Sequence, residues 1–405
     1  MATLAHLRRY VAPFVLILVG GCADETTSSD EDAITGVAQS SVKYQAGGNC
    51  WVYANVGWAE SLHIRATNQE VDLSETYMTY WELYDRITSS GVRRIGDLFK
   101  KDVGKFEVDA DGIITLAGAW SDAVNVVRDR GHMLDADFTP QDGAANKNST
   151  VPKAKELITE SLLRGALAER RARRDHRLVR DELDKAFGLS LTVTGRLDAL
   201  FGDDGDRLSK DISDAEAAVN KLILARNFQV GVPTPGNGTE TRVTTLEAVT
   251  TGGEAWKPAP YSSKLSEAER RNYVRRVQRA LHDHAPVVLT WYVDRAARDS
   301  YTYRLSKLTA ANANKAPDGH ALVIDDYQAI LKDGTVLKAG VLETNPTKLQ
   351  AALEEETKVD FFRVKNSWGP LYNNPGYFDI ELAYLVGPTP AGIVPMTGIV
   401  LPPGY

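Results

Sequence analysis

Cysteine is rare in this chain, which has only Cys22 and Cys50 among its 405 residues. Cys50 follows the glycine pair Gly47-Gly48, and an apolar run with helical spacing starts directly after it at Trp51. The N-terminus of a helix carries about half a positive charge, which favours a thiolate over a thiol. We therefore predict that Cys50 is a nucleophile at the start of a helix.

A cysteine nucleophile needs a partner that carries a proton to the leaving group, and histidine is the usual one. His320 is the best candidate, because it stands where a glycine leads into a predicted strand and its ring can point from a rigid strand into a cleft. His63 lies thirteen residues further along the same helix as Cys50, about 20 Å at 1.5 Å per residue, and is too far away. The other histidines stand in polar or charged contexts that predict solvated residues or helix-terminal cations, namely His132, His176, His282 and His284.

Three further residues are placed to support this pair. Asn366 stands just after the strand-like run DFFRV at 360–364, and its amide oxygen can accept a hydrogen bond from the imidazole and fix the tautomer. Gln45 lies five residues before Cys50, so its side-chain NH2 and the Cys50 backbone N–H would form an oxyanion hole. Trp368 would cover the bond between His320 and Asn366 and exclude water.

These residues, in this order, resemble the papain-like cysteine peptidases. The resemblance covers about 45–131 and 265–385, and the segments LSETYMTYWELYDRI and GAWSDAVNVV are more similar to the bleomycin hydrolase branch than to the cathepsin branch. The residues that carry it are Gln45, Cys50-Trp51, Gly319-His320-Ala321 and Asn366-Ser367-Trp368-Gly369.

The resemblance implies an α+β fold of two lobes, a helical lobe with the cysteine and a barrel-like β lobe with the histidine. It implies Cys50 as nucleophile, His320 as base and acid, Asn366 as the orienting residue and Gln45 as an oxyanion donor. It also implies a peptide or protein substrate whose backbone would pair with Gly118 and lie beside Trp368.

The chain departs from the family pattern in two places. The interval from Cys50 to His320 is 270 residues, against about 130–150 in the family, which indicates a large insertion at 138–262. Gln45 lies one residue closer to the cysteine than is usual in the family.

Three function classes remain open: an active cysteine peptidase, a catalytically inactive peptidase-like binding module, and a thiol amidase or acyltransferase on a related scaffold. A complete set of Cys, His and Asn argues against the inactive module. The sequence Asn366-Ser367-Trp368-Gly369 argues against the amidases, which usually lack it.

The first cysteine has a different interpretation. Arg8 and Arg9 precede an apolar run at 11–19, and Val19-Gly20-Gly21-Cys22 resembles a bacterial lipobox. We expect 1–21 to be a lipoprotein signal peptide, with lipidation of Cys22 and an acidic tether at 22–40. The protein would then be held in the bacterial cell envelope, on the outer membrane or the periplasmic face. An ordinary secretory signal is the alternative.

Outside the signal and tether, the sequence divides into four segments. Residues 41–137 carry helical patterns, and residues 138–262 predict a helical insertion with one helix near 153–186 and another starting at the capping box Ser213-x-x-Glu216. Residues 263–387 begin with the capping box Ser266-x-x-Glu269 and continue into strand-like runs at 286–293, 320–327, 335–344 and 360–366. The tail 388–405 is rich in Pro and Gly and predicts an extended arm that could lie along the cleft, as the C-terminus does in the bleomycin hydrolase branch.

Composition excludes several classes of protein. The net charge of −7 and the pI near 5.6 argue against a nucleic-acid-binding surface. Two cysteines exclude a disulfide scaffold. We expect no metal or other cofactor, because the Asp-rich segments 109–112 and 203–206 lack the ligand spacing of a calcium loop. The oligomeric state is not readable from the sequence.

Overall fold

The structure is a computed structural model that describes residues 36–88, 112–139, 149–299, 302–306, 318–370, 374–387 and 394–405. Cys22, the predicted signal peptide and the part of the predicted tether up to residue 35 lie outside the described residues. The fold combines helices and one large sheet, which confirms the predicted α+β class.

The central helix of the first segment is buried on all sides. Every residue from Cys50 to Leu62 is buried, including the polar Asn55 and the charged Glu60. It ends at Asn68, which adopts a left-handed conformation and donates its N–H to Ile64 O. The helices of this segment are α1 (Cys50–Thr67), α2 (Glu75–Thr88), α3 (Trp120–Arg130) and α4 (Asp135–Phe138).

Helix α2 brings an aromatic row into the core, and the following segment covers that row. Trp81 is fully buried, and its ring lies 4.7 Å from the ring of Phe201. Tyr80 meets Phe187 in the same edge-to-face manner at 5.3 Å. Burial of each such side chain contributes about 1.5–3 kcal/mol to the free energy of unfolding. Because the rings in contact come from both segments, the segment 138–262 shares one core with the helices before it.

The segment 138–262 is largely helical, as predicted, and it adds a two-stranded hairpin that the sequence analysis did not predict. The single helix expected near 153–186 is wrong: it breaks at Gly165, which caps the first helix through bonds to Glu160 O and Ser161 O. The elements are α5 (Thr150–Arg164), α6 (His176–Phe187), α7 (Leu191–Phe201), α8 (Asp214–Val219), the 3-10 turns Ala172–Arg174 and Ser209–Asp211, β1 (Gln229–Thr234), β2 (Asn237–Thr245) and α9 (Leu246–Thr250).

The last segment forms the sheet that carries the predicted histidine. Its elements are β3 (Lys257–Pro260), α10 (Glu267–His282), β4 (Val287–Val293), the 3-10 turn Arg295–Ala297, β5 (Arg304–Leu305), β6 (Asp318–Ile330), β7 (Val336–Leu337), α11 (Pro346–Ala352), β8 (Lys358–Lys365), β9 (Tyr377–Glu381), α12 (Leu382–Val386) and β10 (Met396–Leu401). Among the described residues the strand order is β3-β10-β4-β6-β8-β9-β5, with β7 paired to β6. All neighbours are antiparallel except β5 and β9.

The run 335–344 forms a strand only at Val336–Leu337, which corrects the longer strand predicted there. Gly340 takes a positive φ of 83° and donates its N–H to Asp326 Oδ2 at 2.8 Å. This turn ends the pairing, because the chain leaves the sheet edge after it.

Of the C-terminal tail, residues 394–405 are described; Met396–Leu401 form β10 in the sheet and not an arm along the cleft, so the predicted position is wrong for this part. Met396 pairs with Trp291, which in turn pairs with His320. From there β10 runs away from His320, and the chain ends where the Tyr405 hydroxyl donates to Asp283 Oδ2 at 2.6 Å. Five of the six residues 396–401 are buried, as in an inner strand that is covered on both faces.

A short backbone ladder connects the segment before α1 to the loop after β8. Tyr44 forms an antiparallel bridge with Trp368, Gln45 N donates to Ser367 O at 2.6 Å, and Gly369 N donates to Lys43 O at 3.1 Å. This ladder holds the chain leading to Cys50 against the sheet half of the fold.

Candidate active site

Cys50 is the first residue of α1, as predicted, and a tight turn delivers it. Gly48 has a positive φ of 77°, which a residue with a side chain rarely adopts. A Cβ on Gly47 would lie 2.4 Å from Val151, so this position has no room for a side chain. Asn49 fixes the turn to α2 by donating to Thr79 Oγ1 at 2.7 Å. The glycine pair therefore serves the geometry of the turn.

The thiol lies against the strand that carries His320. Cys50 Sγ is 4.0 Å from the carbonyl oxygen of Gly319. Burial raises the pKa of the Cys50 thiol, while backbone N–H groups of Ala321, Trp51 and Cys50 itself act in the opposite direction. The expected effect of the helix N-terminus is present but is outweighed by burial, so Cys50 depends on a nearby base for ionisation.

Asn366 holds the imidazole of His320. The His320 Nε2 and Asn366 Oδ1 are 2.9 Å apart, and both side chains are buried. Asn366 Oδ1 also accepts the backbone N–H of Ser367 at 2.8 Å, which identifies this atom as the oxygen of the amide. Because the oxygen can only accept, Nε2 of His320 carries the hydrogen and Nδ1 is left as the basic nitrogen.

Trp368 covers this pair. Its ring is stacked on the His320 ring with centroids 5.2 Å apart and planes 27° apart. Phe378 supports the indole edge-on at 5.4 Å. The indole therefore covers one face of the His320 ring, and the shielding of its bond to Asn366 from solvent stays a prediction.

Gln45 lies at the start of α1, with its amide between two sets of partners. One end of the amide is 2.7 Å from Ser367 Oγ, and the other is 3.2 Å from the backbone nitrogens of Asn49 and Cys50. If the NH2 faced these two nitrogens, three donors would oppose each other. With the oxygen facing them, every donor is satisfied and the NH2 donates to Ser367. In this orientation Gln45 accepts the Cys50 N–H and its NH2 faces Ser367, so the amide must turn before the NH2 can donate to a group beside the Cys50 N–H.

Gly118 lies in exposed coil and packs against Trp51. A Cβ on Gly118 would be 2.4 Å from the indole of Trp51. The indole is held in place because its Nε1 donates to Leu116 O at 2.7 Å. The structure thus brings Gly118 next to the residue that follows the candidate nucleophile.

Two of the other histidines, His132 and His282, differ from the sequence expectations. His132 is fully buried, and burial lowers its pKa to about 3, so it is neither solvated nor charged. Burial likewise lowers the pKa of His282 to about 4, and its Nε2 is 2.5 Å from the Tyr327 hydroxyl. Neither acts as a cation at a helix end, because burial disfavours the charged form of both rings.

A buried cluster of charges behind the site was missed by the sequence analysis. Lys43 Nζ lies 2.8 Å from Glu60 Oε1 and 3.0 Å from Glu75 Oε1. Lys365 donates to Ser40 Oγ at 2.6 Å, and burial lowers the pKa of Lys365 to about 8. The available signal was that both lysines stand within two residues of predicted site residues, inside segments that must be buried.

Two further observations concern metals and membranes. No group of three or more His, Cys, Asp or Glu side chains in the described parts of the chain is arranged to hold a metal ion. In the Asp-rich segment 203–206, Asp204 Oδ1 accepts the N–H of Asp206, as in a turn; most of the segment 109–112 lies outside the described residues. None of the described helices has both the length and the apolar character needed to cross a membrane.

No protein-family model and no curated protein matches this sequence. Among solved structures, the chain is similar to PepW from Lactobacillus rhamnosis, with 12% identity over 91% of this chain and 81% of that chain, and a TM-score of 0.43. It is also similar to xylellain, a cysteine protease from Xylella fastidiosa, with 11% identity over 89% of this chain and 82% of that chain, and a TM-score of 0.35. A third similar structure is the proform of the ragweed pollen allergen Amb a 11 cysteine protease. The identity is 14% over 93% of this chain and 68% of that chain, and the TM-score is 0.35.

Proposed function

We propose that this chain is a papain-like cysteine peptidase that hydrolyses peptide bonds through an acyl-enzyme thioester. One observation carries the proposal: the Cys50 thiol lies against the backbone on both sides of His320, whose Nε2 is held by Asn366. This arrangement leaves Nδ1 of His320 as the basic nitrogen beside a nucleophile at a helix N-terminus.

The chemistry follows from these positions. Nδ1 of His320 takes the thiol proton while Cys50 Sγ bonds to the scissile carbonyl carbon. The imidazolium then gives that proton to the leaving amine as the carbon–nitrogen bond breaks, and a thioester remains. His320 next takes a proton from water, and the resulting hydroxide attacks the thioester carbonyl. The carbon–sulfur bond then breaks, and the imidazolium of His320 returns its proton to the Cys50 thiolate.

The oxyanion of each tetrahedral intermediate would form at the N–H of Cys50. In the resting state the Gln45 oxygen occupies that donor. The substrate carbonyl must displace this oxygen, after which the turned amide adds its NH2 as a second donor. Ser367 can serve both orientations, because its hydroxyl is both a donor and an acceptor.

An active-site label tests the proposal. The purified protein is treated with an epoxide thiol inhibitor, the modified residue is found by peptide mass spectrometry, and hydrolysis of a fluorogenic peptide library is followed. We expect modification of Cys50 and loss of hydrolysis together, and no hydrolysis by Cys50→Ala. Cys22→Ser is the matched control, because it removes the other cysteine and should keep both labelling and hydrolysis. Peptide hydrolysis by purified Cys50→Ala above background would refute the mechanism.

We also propose that the protein is anchored in the bacterial envelope by lipid on Cys22. The support is the sequence Arg8-Arg9, the apolar run 11–19 and the small residues before Cys22. Two or more acyl chains give stable anchoring where one chain does not. Membrane fractionation should place the wild type with membranes and release Cys22→Ser or leave it unprocessed; a mature N-terminus without lipid mass would exclude the anchor.

A further inference from the structure

The imidazole of His320 lies within a row of aromatic side chains. Trp368 stacks on it with centroids 5.2 Å apart, and Phe378 supports Trp368 edge-on. A second indole, that of Trp291, lies 6.4 Å from the His320 ring, with the two planes 59° apart. Tyr384 in turn meets Trp291 edge-on at 6.1 Å. All these separations fall in the range of interacting aromatic pairs, about 4.5–7 Å.

The two indoles approach the imidazole from different strands of the sheet. His320 belongs to β6, which lies between β4 and β8. Trp291 belongs to β4 and is the register partner of His320, so the two side chains point to the same face of the sheet. Asn366 and Trp368 follow β8, on the other side of β6. The imidazole is therefore flanked by Trp291 from one neighbouring strand and by Asn366 and Trp368 from the other.

Trp291 is itself held in place by the elements around it. The residue is 2% exposed, and Met396 of β10 is its register partner on the side away from His320. Tyr384 of α12 packs edge-on against the indole, and its hydroxyl accepts the backbone N–H of Asp294 at 3.4 Å. A buried indole that is packed from two elements has little freedom to move, so it can act as a rigid wall.

The contacts from Asn366 and Trp368 leave part of the motion of the imidazole open. The hydrogen bond at Nε2 acts as a pivot, and a stacked indole restricts movement perpendicular to the ring but allows the ring to slide within its plane. Trp291 is tilted by 59° against the imidazole, so the two rings cannot slide past each other in parallel. Nδ1 must stay directed at Cys50, because proton transfer requires hydrogen-bond reach.

We propose that Trp291 is a positioning residue for the imidazole of His320. Its indole blocks the movement that Asn366 and Trp368 leave open and thereby keeps Nδ1 directed at the Cys50 thiol. Trp291 takes no part in proton transfer, and its effect passes through His320. The effect on turnover rests on the proposed function, whereas the effect on the reactivity of the thiol is measurable without peptide hydrolysis.

Alkylation of Cys50 reports the position of the imidazole without a substrate. The rate of modification by iodoacetamide at pH 7 is compared among wild type, Trp291→Leu and His320→Ala by mass spectrometry of the Cys50 peptide. We expect Trp291→Leu to react about two- to tenfold more slowly than the wild type, the effect of one lost aromatic contact, and His320→Ala to react more slowly still. The wild-type rate in Trp291→Leu, together with a slow rate in His320→Ala, would overturn the role of Trp291 alone. Equal rates in wild type and His320→Ala would contradict the proposed function, and the role of Trp291 with it.

Turnover separates positioning of the imidazole from substrate binding. In Trp291→Leu, kcat for peptide hydrolysis should fall by about the same factor while KM stays near the wild-type value, because the indole acts on the imidazole and not on the substrate. Trp291→Phe keeps an aromatic ring at this position and should recover part of the lost rate. A change in KM alone, or no recovery by phenylalanine, would contradict the positioning role.

Two further variants control for loss of packing. Trp256→Leu is matched, because Trp256 is 3% exposed and packs edge-on against Trp58 at 5.1 Å, outside the aromatic row. It should lower the melting temperature as Trp291→Leu does but leave kcat and the alkylation rate of Cys50 unchanged. If Trp291→Leu does not fold, Tyr384→Leu takes its place, since it removes a support of the indole and should slow alkylation in the same direction. Equal slowing by Trp256→Leu would assign the effect to general loss of packing and refute the proposal.

Discussion

Replacement of Lys43 by methionine should cost about 3–5 kcal/mol of unfolding free energy, the effect of removing one partner from a buried ion pair. The side chain of Lys43 is 12% exposed, and those of Glu60 and Glu75 are 1% and 7% exposed. Lys43 Nζ also contacts the exposed Asp72 at 2.7 Å and Leu73 O at 2.9 Å. Without the ammonium group, two carboxylates stay buried without a cation in contact, so the cost exceeds that of a surface pair.

The loss of unfolding free energy in Lys43→Met should increase as the pH rises. Burial raises the pKa of Glu75, and the charge of Lys43 opposes this rise, so Lys43→Met raises the pKa of Glu75 further. A group with a higher pKa in the folded state contributes stability that is present at low pH and lost as pH rises through the folded pKa. We therefore expect the difference between variant and wild type to be larger at pH 8.5 than at pH 5.

Urea denaturation followed by tryptophan fluorescence at the two pH values measures the effect. Lys348→Met is the matched control: its pair with Glu343 has the same 2.8 Å distance, but the lysine is 44% exposed, so the cost should stay below about 1 kcal/mol. Adding Glu75→Gln to Lys43→Met should recover part of the loss. A loss by Lys43→Met no larger than the control, and the same at both pH values, would refute the reasoning.

Three further predictions concern the site. Asn366→Ala should lower kcat about 10- to 100-fold, the effect of a lost hydrogen bond worth about 1.5–3 kcal/mol, and unchanged peptide turnover would remove Asn366 from the mechanism. In His320→Ala, alkylation of Cys50 by iodoacetamide should become fast only at alkaline pH, because burial raises the thiol pKa and no imidazole remains to take the proton; rapid alkylation of that variant at pH 6 would contradict this. Gly118→Ala should lower stability by about 1–3 kcal/mol through overpacking against the indole that follows Cys50, whereas Gly253→Ala, where a Cβ meets nothing within 4 Å, is the control in thermal unfolding and should change little.

Local patterns were sufficient for the elements that carry the site. The start of α1 at Cys50, the strand that begins before His320 and the strand that ends before Asn366 all follow the sequence expectations. The capping boxes at Ser213 and Ser266 form as predicted. These features depend on residues within a few positions of each other, so composition and spacing are enough to predict them.

The position of the tail and the protonation and hydrogen bonding of several side chains depend on tertiary contacts. The tail became the strand between β3 and β4 because its apolar residues are buried there, and nothing in its own composition identifies those partners. The neutral state of His132 and His282, the charges around Lys43 and the resting orientation of Gln45 likewise depend on residues far away in the chain. Burial and pairing between distant segments set the protonation and hydrogen bonding of a side chain, whereas a sequence by itself specifies only which groups are present and how closely they follow one another.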